Sequence, residues 1–235
     1  METIIIGNQE WSVNNLNVDS FYNGDLIQEI KSREDWIEAA QEKVPAYCYY
    51  NNDASSGNIY GRLYNWYAAV DGRGINTNGF RIPTKMDIED LIINLTGGRR
   101  SREMIREKGV AGKDLKKNIS EWETPKISKS KLKRSLKFIK SEIDYLEINE
   151  LKCGYGFNAL PGGQRKALRL RDFREILNLA TFWCSTPDDY KYSEEQITFG
   201  IEEKAYCFSL NYFSSLGLSK DPVQFGKSIR LMRNI

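Results

Sequence analysis

The sequence predicts an α+β domain with two main helices, small mixed or antiparallel sheets, and long loops. Three observations carry that expectation: two helix signals with N-terminal punctuation, many short strand-like runs broken by turn residues, and strand candidates at both chain ends. At 235 residues, with 40% hydrophobic and 28% charged side chains, the chain is long enough for a sizeable core. A single domain over residues 1–235 is expected, with a basic helical insertion at 99–151.

Residues 2–16 open with a short β run, turn at Gly7-Asn8, and continue into a second run carrying Trp11, Val13 and Leu16. Turns and short strands follow around Asn23-Gly24-Asp25. Ser32 is a good N-cap for a helix through Lys43, with Asp35 placed to return the bond and Trp36, Ile37 and Ala40 on the inward stripe. Pro45 follows its end. The stretch Tyr47 to Ala68 then gathers seven aromatic rings around a loop from Asn51 to Asn58. Tyr47 with Tyr49, and Tyr64 with Trp66, alternate at a period near two, which predicts two extended arms. These rings suit a stacked core, or a surface on which some of them join Asn51, Asn52 and Asp53 in facing a ligand. A Gly/Asn loop runs from Asp71 to Gly79. Thr84 then caps a second helix, with Asp87 at its third position, Ile88, Leu91, Ile92 and Leu95 on one face, and Gly97-Gly98 as the stop.

From Arg99 to Leu151 the composition shifts. Arg99, Arg100, Arg102, Arg106 and Lys108 crowd one stretch, and Lys126, Lys129, Lys131, Lys133, Arg134, Lys137 and Lys140 another. Leu132, Leu136, Ile139, Ile143 and Leu146 recur at helical spacing, predicting an amphipathic helix. Its basic end is N-terminal, against the helix dipole, so packing must hold it. A solvated charged face, a surface for a partner protein, and a nucleic-acid contact are the three readings. The partner reading centres on Lys131, Leu132, Lys133, Arg134, Leu136, Lys137 and Ile139. Nucleic acid is the weakest, because no recognition motif accompanies the basic runs. Beyond them, residues 154–165 are rich in Gly and Pro and need tight turns, but no Lys-Ser/Thr follows to make a phosphate loop. Thr181 to Thr186 reads as a buried strand, and Ala205 to Tyr212 and Ser228 to Met232 as further strands.

Composition excludes several chemistries. The chain has no histidine, so Ser-His and Cys-His catalysis is excluded, and zinc is not expected. Cys48, Cys153, Cys184 and Cys207 show no CxxC spacing; they allow three full pairings, and free buried thiols are favoured. Net charge is only +2, so no whole-molecule field favours nucleic acid or a membrane. No apolar run is long enough to span a bilayer. Met1 leads directly into Thr3-Ile4-Ile5-Ile6, so no secretion signal is expected.

Several blocks resemble the Fibrobacter succinogenes major paralogous domain. They are Gly7 to Trp11 with Asn15-Leu16-Asn17, Tyr47 to Asp53, Tyr60 to Ala68, Gly79 to Thr84, Gly156 to Gly163, Phe182 to Thr186, and Ser228 to Arg233. That family is similar to C-type-lectin-like folds of the formylglycine-generating-enzyme branch. The resemblance implies a compact C-type-lectin-like domain whose first strand pairs near the last, bringing the termini together. The family commonly has Ser where Cys184 stands and a Cys near Leu231; Cys48 would then lack its partner here.

The resemblance also implies where function sits. In related folds the ligand face comes from the segment before the last strand, here about Pro187 to Gly226. Its candidate ligand-binding residues are Tyr190, Tyr192, Tyr206, Asn211, Tyr212, Phe213 and Lys220, whose rings and polar tips suit protein or sugar contacts. Calcium-dependent sugar binding is not expected, since no Glu-Pro-Asn, Gln-Pro-Asp or Trp-Asn-Asp triplet occurs. A copper-cysteine enzyme is the alternative, with Cys184 and Cys207 approaching across neighbouring strands, but the flanking motif of that enzyme is absent. The expectation is a non-enzymatic recognition or attachment protein with no cofactor, either a bacteriophage virion or host-adhesion component or a bacterial surface-type paralogue. Its partners would be other virion or surface-assembly proteins and a host cell-surface protein or glycan.

Overall fold

The computed structural model describes residues 1–75, 79–95, 115, 156–168, 171–190, 203–211 and 216–235. The partner-docking residues Lys131 to Ile139, the ligand candidates Tyr192, Tyr212 and Phe213, the Gly97-Gly98 stop and Cys153 lie outside them. In chain order the elements are β1 (Thr3–Ile6), β2 (Gln9–Ser12), β3 (Gln28–Glu29), α1 (Arg33–Gln41), β4 (Ala46–Cys48), α2 (Gly57–Tyr60), β5 (Leu63–Tyr64) and α3 (Trp66–Val70). They continue with α4 (Lys85–Leu95), β6 (Gly162–Leu168), β7 (Arg171–Ile176), β8 (Leu179–Pro187), β9 (Lys204–Asn211), β10 (Leu216–Pro222) and β11 (Met232–Asn234). The fold is mixed helix and sheet, with small sheets and few helices among the described residues.

The two main helices start where their capping residues put them. Ser32 Oγ accepts from the Asp35 N–H at 3.1 Å, and α1 begins at the next residue, Arg33. It ends at Gln41, two residues short of the predicted Lys43. At α4 the Asp87 N–H donates to Thr84 Oγ1 at 3.2 Å while Asp87 Oδ2 accepts the Thr84 N–H at 2.6 Å, a reciprocal capping box. Arg81 then closes on Asp87 with both guanidinium ends, at 2.5 and 2.8 Å. Burial would raise the Asp87 pKa, but the Arg81 and Thr84 bonds outweigh it and hold the carboxyl below its usual range.

Four small sheets organise the described strands: β1-β2-β11, β10-β9-β8, β3-β4-β5 and the pair β6-β7. β2 lies between β1 and β11, with Ile4 and Met232 both opposite Trp11, so the first and last strands share one sheet. The β8-β9 pair divides the core. On one face Phe182, Cys184, Tyr206, Phe208 and Leu210 pack with Ile88, Leu91 and Ile92 of α4. On the other, Trp183, Ala205 and Cys207 pack with Tyr47, Tyr64, Phe80 and Ile229. A third cluster joins Trp36 of α1 to Cys48, Tyr50 and Leu63.

Two expectations need correction. Tyr47 and Tyr64 are direct antiparallel partners in β4 and β5, but the second arm does not continue through Trp66. Asn65 Oδ1 accepts the Ala68 and Ala46 N–H groups at 3.0 and 3.1 Å, and this cap turns the chain into α3. The closing strand is likewise Met232–Asn234; Ser228 makes only a single parallel bridge to Phe182, and Lys227 one to Tyr64. The reason is a buried cation. Arg230 sits 1% exposed, donating to Asn15 Oδ1, Ser12 O and Phe157 O at 2.7 Å and to Asn158 O at 3.0 Å. Making those bonds places the segment before β11 across the ends of β2 and residues 157–158.

Two stability outcomes follow from these contacts. Arg230→Met leaves four oxygens without their donor, two of them fully buried, and should lower unfolding free energy by about 3 kcal/mol or more in urea titration, with Arg230→Lys recovering only part. Asp87→Asn should cost about 2 kcal/mol at neutral pH, because it breaks a charged box. Since the folded Asp87 pKa lies below the unfolded value of about 3.9, its contribution is complete above that value and is lost as pH falls through the folded pKa. The gap between wild type and Asp87→Asn should therefore narrow below about pH 4; a gap unchanged there would refute the assignment.

Candidate recognition site

At one end of the β8-β9-β10 sheet, three strand segments and the start of α4 converge. Tyr206 of β9 and Lys220 of β10 are direct cross-strand partners. Asp188 and Asp189 follow β8, where the Asp188 N–H donates to Lys204 O at 2.9 Å. α4 is docked to the same place by its first residue, since the Lys85 N–H donates to Thr186 Oγ1 at 2.9 Å.

The side chains form one connected network. The Tyr206 hydroxyl donates to Asp189 Oδ2 at 3.1 Å and accepts from Lys85 Nζ at 3.4 Å. Lys220 Nζ forms an ion pair with Asp188 Oδ1 and lies 4.9 Å from the centre of the Tyr206 ring, while Lys85 Nζ lies 4.7 Å from it. The bond to Tyr206 pushes the Lys85 pKa up, and Asp188 does the same for Lys220, so both lysines stay charged at physiological pH. Tyr206 itself is 8% exposed beneath them, whereas Tyr190 is 54% exposed, its N–H on Asp188 Oδ1 at 3.2 Å. The site thus gathers two ammonium groups, two carboxylates and a buried phenol, with the exposed Tyr190 beside them. Those groups suit a ligand that mixes hydrogen bonding with flat apolar contact.

Three of the sequence-derived candidates, Tyr190, Tyr206 and Lys220, come together here. Asn211 does not: it ends β9 at the opposite end of the sheet, paired with Leu179. Of the earlier candidates Asn51, Asn52 and Asp53, the last two make structural bonds within and beside their loop. Asn52 Nδ2 donates to Lys31 O at 3.1 Å, and Asp53 Oδ1 accepts from the Ser55 N–H at 2.9 Å. Of the surrounding rings, Tyr64 is fully buried and Tyr47 is 6% exposed against the Arg62 guanidinium, 4.5 Å from its ring.

Residues 4–233 match the family model of the Fibrobacter succinogenes major domain. The chain belongs to that family. No curated protein and no solved structure matches it. Within this member of the family, Lys85, Thr186, Asp188 and Asp189 are the site residues that sequence reading missed. The available signals were modest: a lysine directly after a helix cap, and an acidic pair directly after a strand.

The thiols lie elsewhere. Cys48, Cys184 and Cys207 are free and buried. Cys207 stands opposite Trp183, so Cys184 and Cys207 project to opposite faces of the sheet rather than toward each other. Burial pushes the Cys48 thiol up to about 12 and raises Cys184 and Cys207 as well, the latter against the lowering field of Lys227. Among the described residues no group of three or more Cys, Asp or Glu is placed to hold a metal, and no helix is long and apolar enough to cross a membrane. In the native protein at neutral pH, iodoacetamide should leave Cys48, Cys184 and Cys207 unmodified over minutes and alkylate all three in denaturant. Rapid native labelling of any of them, read by peptide mass, would contradict this placement.

Proposed function

We propose that this protein is a non-enzymatic recognition or attachment protein on a C-type-lectin-like scaffold, binding protein or glycan without calcium. The observation that carries the reading is the convergence of Tyr190, Tyr206 and Lys220 with Lys85, Asp188 and Asp189 at one sheet end. The exposed Tyr190 and the paired charges beside it are groups that bind rather than break bonds. The scaffold half of the proposal is supported by small sheets, two main helices and terminal strands in a common sheet.

By analogy of fold alone, the setting we propose is a bacteriophage particle, where the protein serves as a structural or host-adhesion component. Its partners there are other virion proteins, reached through residues 126–151, and a host surface protein or glycan. The alternative setting is the surface of a Bacteroidota-type bacterium.

Purified protein should be tested for capture by whole Bacteroidota-type cells and by phage lysate proteins, each with and without chelator. Saturable cell binding that survives chelator, and that Tyr190→Ala with Lys220→Ala weakens at least tenfold, is the expected result. Binding abolished by chelator, or left intact by the double substitution, would overturn the assignment to this site.

A further inference from the structure

We propose that Lys227 and Gln164 become joined by an intramolecular isopeptide bond, the lysine nitrogen replacing the side-chain amide nitrogen of the glutamine. Lys227 is fully buried and Gln164 is 3% exposed. Lys227 Nζ donates to Gln164 Oε1 at 2.9 Å, to Asp221 Oδ2 at 2.7 Å and to Thr181 Oγ1 at 3.1 Å. On the far side of the amide, Gln164 Nε2 donates to Glu175 Oε2. An amine, an acyl group and two carboxylates are therefore assembled around one carbon, in a space walled by the Trp183 and Phe225 rings 5.3 and 5.7 Å from the nitrogen.

The backbone holds the pair in place. Arg165 and Gly226, their immediate neighbours, exchange both main-chain hydrogen bonds at 2.9 and 2.8 Å. Lys227 and Tyr64 exchange a second such pair at 3.0 and 2.8 Å. Gly226 permits this approach, since a Cβ there would meet the Arg165 Cβ at 2.9 Å. Reactants fixed this way need little further ordering, so even an unactivated amide gains a high effective concentration of amine.

The chemistry balances within the chain. The Lys227 ammonium passes a proton to Asp221 Oδ2, and the freed amine lone pair attacks Gln164 Cδ to form the new C–N bond. The adduct's Lys227 nitrogen gives up a second proton as the Cδ–Nε2 bond breaks, and the departing nitrogen takes both that proton and the one held on Asp221, leaving as ammonium and restoring the Asp221 carboxylate. Glu175 orients the leaving nitrogen, and the Asp221 side chain, 32% exposed, marks the way out to solvent. No oxidant, cofactor or metal enters. The product would tie β6 covalently to the segment before β11.

Intact mass and peptide mapping of the purified full chain test this directly. The expected mass is lower than that of the unmodified sequence by one ammonia, with a branched peptide joining the Gln164 and Lys227 segments. Lys227→Met and Asp221→Ala should each keep the unmodified mass. The wild-type map decides even if a variant fails to fold. An unshifted mass after prolonged incubation overturns the proposal. So does ammonia lost at Asn23-Gly24, or a loss of water that joins Lys227 to Asp221 instead.

Discussion

Burying a guanidinium without a carboxylate is the constraint on which the closing of this fold depends. Arg230 meets four oxygens and no acid: Asn15 Oδ1 and the carbonyls of Ser12, Phe157 and Asn158. Desolvation pulls its pKa down to about 9, yet the group stays charged at neutral pH, and a buried charge is tolerated only with its hydrogen bonds complete. Completing them requires the chain after β2, residues 157–158 and the approach to β11 to meet at one point. The rings of Phe157 and Phe182, 4.7 and 5.6 Å away, cover the cation's faces. The terminal sheet is thereby fixed to the rest of the core.

Arg165 does a related task on the other side of the molecule. Fully buried, it donates to the carbonyls of Ile30, Lys31 and Ser32, pairs with Asp172, and lies 4.5 Å from the Trp36 ring. It holds the entry to α1 and the β6-β7 pair together. Lys227 is the third such cation, bound to Gln164, Thr181 and Asp221. These contacts use cations as nodes where chain segments from distant parts of the sequence cross. That suits a fold of small sheets, in which few ladders are long enough to carry such joins alone.

The β8-β9 pair decides how the remaining groups are shared out. Its alternation sends Cys184 and Phe182 toward α4 and Cys207 and Trp183 toward the other core. The same alternation brings Tyr206 under Lys85 at the edge of the α4 face. The recognition site is therefore a by-product of where a well-packed strand ends and a capped helix begins. Rigid elements supply Tyr206, Lys220 and Lys85, and the turn after β8 supplies the acids and the exposed ring of Tyr190.

Local chemistry is what the sequence by itself determined. Ser32, Thr84 and Asp87 act on backbone groups a few residues away, so both main helix starts were legible, as was the buried run Thr181 to Thr186. The alternation of Tyr64 with Trp66 did not extend the strand, because the Asn65 side chain caps backbone N–H groups and turns the chain into α3, and a two-residue pattern is too short to outweigh that. β6, β7 and β10 were not legible because charged and small residues interrupt their apolar pattern, leaving only a few core contacts such as Ala167, Phe173 and Leu216, and their register depends on cross-strand partners distant in sequence. Only the tertiary structure decided that Arg165, Lys227 and Arg230 lie inside, and that Lys85 and Asp188 share a site with Tyr206. A lysine or arginine carries no sign in sequence of whether distant carbonyls will surround it, because that depends on long-range register rather than on neighbours along the chain.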